Sequence, residues 1–113
     1  MKAIASLSLA IVVFFTGCAG GAQEYSSVDA LAAALGDEGI RCGSVEETTA
    51  GDLVADQGSC DGHDLFVFDG EQDRDRWLEV GAALGEVVVG PNWAIVPNGS
   101  AQDIADALGG DVR

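Results

Sequence analysis

Hydrophobic positions change their spacing several times along the 113-residue chain, and each change predicts a new element. Ala3 to Phe15 is an uncharged apolar run broken only by Ser6 and Ser8. It falls short of the roughly 20 residues with which a helix crosses a bilayer. Val28, Leu31, Ala32 and Leu35 then recur at helical spacing, with Ser26 and Asp29 as a capping pair and Gly36 as a stop. Ile40 through Cys42 to about Glu47 reads as extended, 48–51 as a turn, and Asp52 to Ala55 as a poorly alternating strand. Leu65-Phe66-Val67-Phe68 is the clearest strand. A second helix follows from Asp69 as N-cap, with Trp77, Val80, Gly81 and Leu84 turned inward and Asp73, Arg74, Asp75 and Arg76 turned to water; Gly85 ends it. Glu86 to Val89 and Trp93 to Val96 read as strands about a Gly90-Pro91-Asn92 turn, and Ser100 with Asp103 caps a last helix ending at Gly109-Gly110.

The order is helix, two or three strands, helix, two strands, helix. Apart from the segment carrying the second helix, few connections are long enough for parallel crossovers. The expected fold is α+β: a two-layer domain with a mostly antiparallel sheet of four or five strands and helices on one face.

The start of the chain carries an address. Met1-Lys2 supplies a positive charge, Ala3 to Phe15 has the length of a signal-peptide core, and Phe15-Thr16-Gly17 places one large and two small residues before Cys18. This string resembles the lipobox of bacterial lipoproteins, with Phe15 where that family most often has Leu. The resemblance implies that Cys18 receives a diacylglycerol thioether, becomes the first mature residue and is N-acylated, with no other cofactor. Several acyl chains, at about 0.8 kcal/mol per buried methylene, anchor where a single chain does not. The organisation that follows is a signal peptide over 1–17, a lipidated N-terminus and flexible tether over 18–26, and a small acidic domain over 27–113 on the extracytoplasmic face of the cell membrane.

Composition sharpens this picture. Cutting before Cys18 leaves 96 residues, enough for one small domain. Lys2 is lost with the leader, so four arginines stand against 19 carboxylates, a balance of −15. Such a chain is repelled by nucleic-acid phosphates, which excludes nucleic acid as a partner. Of three cysteines, Cys42 and Cys60 remain after Cys18 is lipidated, and an even pair in an exported chain predicts a disulfide.

Catalytic equipment is sparse. The mature chain has no Lys and a single His, His63, which excludes Schiff-base chemistry, a Walker motif and multi-His zinc sites. Ser59 beside Asp61, His63 and Asp64 lacks the nucleophile-elbow pattern. With so many carboxylates, acid pairs arise by chance. Asp61, His63, Asp64, Asp69, Glu71 and Asp73 form an oxygen-rich set that suits calcium, although Arg74 stands where a calcium loop needs Gly. Asn98-Gly99-Ser100 reads as a turn into a helix cap. Trp93 after Asn92 reads as core; exposed, the pair would mark a partner-binding spot.

The mature chain is also similar to small lipoproteins of high-GC Gram-positive bacteria that pair a helix, two cysteines and a Trp-bearing C-terminal strand. The expected role is a non-enzymatic binding or accessory module with a cell-envelope protein partner. A calcium-binding protein and a small cell-envelope hydrolase are the alternatives.

Overall fold

The computed structural model describes residues 22–81 and 85–113; the leader, Cys18 and Leu84 lie outside the described residues. The elements run α1 (Val28–Asp37), β1 (Glu46–Glu47), β2 (Asp56–Cys60), β3 (His63–Val67), α2 (Glu71–Gly81), β4 (Val88–Val89), β5 (Trp93–Val96), α3 (Ala101–Leu108) and β6 (Asp111–Val112). The strands pair antiparallel in the order β1-β2-β3-β5-β4-β6. The chain therefore adopts the expected α+β class. Two details differ: the sheet has six strands, and helices cover both of its faces.

Side-chain alternation explains the second detail. Leu65 and Val67 of β3 join Val88, Trp93 and Ile95 beneath α1 and α3. Phe66 and Phe68 point the other way and join Val87, Val89 and Ala94, against which Trp77 and Leu78 of α2 pack. The run Leu65 to Phe68 is apolar at every position and has two faces to bury, so a helix is needed on each side. Trp77 is the anchor of α2, with its ring 4.6 Å from that of Phe66 and 5.6 Å from that of Phe68.

The phase of α2 corrects the expected stripe. Arg74, Trp77, Leu78 and Gly81 share the sheet-facing side at spacings of three and four. Val80 lies off that stripe and is 78% exposed. Arg74, expected in water, has a side chain only 13% exposed. Its Nη1 donates to the carbonyls of Gly90 (2.9 Å) and Pro91 (3.0 Å), while Nε and Nη2 hold Asp75. The guanidinium's fork of donors answers a turn whose carbonyls have no strand partner there.

Helix α1 begins one residue later than its pattern suggested. Ser27 is the N-cap and accepts from the Ala30 amide at 3.1 Å, while the Asp56 carboxylate from β2 accepts from the Val28 amide at 2.9 Å. Both contacts satisfy N-terminal donors that the helix cannot satisfy itself. In α3 the expected cap is present, with Ser100 accepting from the Asp103 amide and Gly109 ending the helix at φ 80°.

Strand β2 is displaced from its expected position. Asp52 to Ala55 turns, with the Val54 amide on the Gly51 carbonyl at 3.1 Å, and pairing starts at Asp56. Asp56-Gln57-Gly58-Ser59-Cys60 has almost no apolar signal. Its place is set instead by β3, by Gly58 and by the disulfide between Cys42 and Cys60, whose Cα atoms are 5.0 Å apart. Gly58 is buried where a Cβ would lie 2.9 Å from Val45 Cγ1 and 3.1 Å from the Glu46 carbonyl, so the strand fits beside β1 only without a side chain at this position.

Candidate functional site

The oxygen-rich set is divided by β3. Asp61 and Gly62 form the two-residue link from β2 to β3, with φ of 48° and 88°, as a type I′ hairpin turn requires. The Asp61 carboxylate accepts from the Gly43 amide at 2.9 Å, and its carbonyl accepts from Asn98 Nδ2 at 3.2 Å. His63 is buried, and its Nδ1 accepts from the Asn98 amide at 2.9 Å, so that lone pair is already used. Asp64 is exposed opposite Ser59, on the face of the sheet away from His63. Ser59 and His63 are therefore not brought together. Asp69, Glu71 and Asp73 lie past the other end of β3, roughly 17 Å of strand away. Among the described residues no group of three or more His, Cys, Asp or Glu is placed to hold a metal ion.

Trp93 and Asn92 have a different task from the one their exposure would have implied. Trp93 is fully buried, as its reading as core expects, so it does not present the exposed indole that would have marked a partner-binding spot with Asn92. Its Nε1 donates to the Gln23 carbonyl at 2.8 Å, and its ring lies 6.2 Å from that of Tyr25. Asn92 Oδ1 accepts from the Tyr25 amide at 3.0 Å, and Nδ2 donates to the Tyr25 carbonyl at 2.7 Å and to the Phe68 carbonyl at 3.5 Å. A carboxamide carries an acceptor and donors side by side, so Asn92 meets the Tyr25 backbone as a neighbouring strand would. From Gln23 onward the expected flexible tether is thus docked on the domain.

Tyr25 also borders a groove of about 470 Å³ with Gln23, Ala30, Ala34, Asp37 and Leu108 between α1 and α3. Burial raises its phenol above the ordinary value near 10, and the Glu38 and Asp37 carboxylates add to the rise. A second, more apolar groove of about 540 Å³ opens on the α2 side of the sheet, lined by Leu53, Val54, Gln57, Phe66, Trp77 and Val80. Sequence reading missed this groove because it placed Val80 inside. The helical spacing of Arg74, Trp77, Leu78 and Gly81 is the signal that would have found it.

No helix among the described residues is long and apolar enough to cross a membrane. Compared with family models, with curated proteins and with solved structures, the chain matches none of them.

Proposed function

We propose that this chain is a lipid-anchored extracytoplasmic protein, held in the cell membrane through Cys18, whose acidic domain is a non-enzymatic binding or accessory module. The observation that carries the reading is Phe15-Thr16-Gly17-Cys18 directly after an uncharged apolar run that follows Lys2. The Cys42–Cys60 bridge supports it, because such bonds persist in the oxidising space outside the cytoplasm. The binding role is supported by the open groove, where Trp77 and Phe66 stand beside the exposed Val80. Aromatic side chains in an apolar depression are the usual anchors of a partner surface.

Intact mass of the protein extracted from membranes tests the anchor. The expected product starts at Cys18 and carries acyl mass, and Cys18→Ser leaves the leader uncut or releases the chain from the membrane fraction. A product that begins elsewhere, or a Cys18 without acyl mass, refutes the reading.

A further inference from the structure

Few residues separate Cys18 from the docked arm, and this decides which end of the domain meets the lipid. Resting on the reading of Cys18 as the anchor, we propose that the end of the sheet where Gln23 and Tyr25 dock lies against the headgroups, with the Asp61–Gly62 hairpin turn pointing away from them.

Only five residue steps separate Cys18 from Gln23. Fully extended they reach at most about 18 Å, and as a random coil about 12 Å. The chain has no swivel immediately after that span. The Gln23 carbonyl is held by the buried Trp93 indole, and both backbone groups of Tyr25 are held by Asn92. Ala22 lies in the same cleft as Gly90, Pro91 and Gly109.

The register of the sheet fixes what lies at each end. Val67 pairs with Trp93 at the arm end, whereas Asp64 pairs with Val96 toward the other end. Beyond them the Asn98 amide meets His63, and the Asn98 side chain meets the Asp61 carbonyl. From the docking site to the hairpin turn the sheet is on the order of 20 Å long. For the turn to be the part nearest the bilayer, the docking site would have to rise by about 20 Å, well beyond the coil span of about 12 Å and at the limit of full extension.

Charge selects the upright pose over one lying flat. The mature balance of −15 repels an anionic surface along the whole domain: Glu46, Glu47, Asp61 and Asp64 are exposed or stand toward the hairpin turn, and Glu24, Asp37 and Glu38 stand beside the docking site. A body repelled along its length and restrained at one end points outward.

The test uses the acylated mature protein, labelled with ¹⁵N, in bilayer discs of phosphatidylcholine and phosphatidylglycerol doped with a gadolinium-chelating lipid. Amide relaxation enhancement should fall several-fold along β3 and β5, from Val67 and Trp93 toward Asp64 and Val96, and be weakest at Gly62. An even or reversed profile, with acyl mass verified on Cys18 in the same sample, overturns the orientation alone. Absence of that mass overturns the anchoring reading and this inference with it. A Gly-Ser insertion between Gly20 and Gly21, longer than the sheet is tall, should flatten the profile without changing the amide spectrum of the domain; a profile that stays steep shows that the short tether is not what orients it.

Discussion

Asn92→Ala tests the docked arm most directly. The substitution removes two well-formed hydrogen bonds to the Tyr25 backbone, at 3.0 and 2.7 Å, and one long contact to Phe68. At about 1 kcal/mol net for each good bond, the direct loss is about 2 kcal/mol. The part-buried Tyr25 amide and carbonyl would then lack partners, which pushes the cost toward about 3 kcal/mol unless the arm lifts into water. Lifting limits the penalty to the docking free energy of Gln23 to Tyr25, including the Tyr25–Trp93 ring contact. For a domain of this size 1 kcal/mol moves the melting temperature by roughly 4–8 °C, so a fall of roughly 8–16 °C is expected. Thermal unfolding reads the magnitude, and native-state hydrogen exchange at the Tyr25 amide reads the mechanism. An unchanged melting temperature with the Tyr25 amide still protected would refute the reasoning. Asn92→Asp sharpens the test. It keeps an acceptor for the Tyr25 amide but sets a carboxylate oxygen against the Tyr25 carbonyl, so it should cost at least as much as alanine at neutral pH and recover when acidified.

Three further expectations follow from individual contacts. In Gly90→Ala the new Cβ would collide with the Trp93 indole, which is fully buried and cannot yield, so calorimetry should show a loss of about 3 kcal/mol. The double variant Cys42→Ser with Cys60→Ser opens a loop of 18 residues' separation and should lower stability by about 3 kcal/mol in denaturant unfolding, with reductant doing the same to the wild type. Tyr25 is the single tyrosine, so tyrosinate absorbance reports it alone. Its folded pKa is raised, mainly by burial, so the native state holds the phenolic proton to higher pH than the unfolded chain. The stability this contributes is complete below the ordinary value near 10 and is lost as pH climbs through the folded value; a midpoint at or below the ordinary value would contradict it.

Much of the fold was legible where burial dictates residue type. Leu65 to Phe68 and Trp93 to Val96 were readable as strands, and Ser100 and Gly109 as the ends of the last helix, because those signals are local. The same apolar runs also announced that both faces of the sheet are covered, a conclusion the pattern supports but which the expected one-sided layering passed over. Strand β2 was not legible, because Asp56 to Cys60 owes its conformation to β3 on one side, to Val45 and Glu46 pressing on Gly58, and to a covalent bridge. Asp61-Gly62 carried a hairpin signal stronger than any ligand signal, so Asp61 and His63 belong to a turn and its support. The docking of the arm was hidden for another reason. It joins the Asn92 side chain to the Tyr25 backbone across 67 positions, and the backbone atoms it grips leave no trace in residue type.

The second layer of the domain is thin, and that has a consequence for how the molecule comes apart. Of the α2 residues only Gly81 is buried, and the helix is held chiefly by the Trp77 ring and by the bonds of Arg74 to the Gly90–Pro91 turn. Segments with so little buried apolar contact detach at a free energy well below that of global unfolding. α2 is therefore the shutter of this fold. It can peel off and reseat while the layer bearing α1 and α3 stays shut, and each opening uncovers Phe66 and Phe68 to the surroundings.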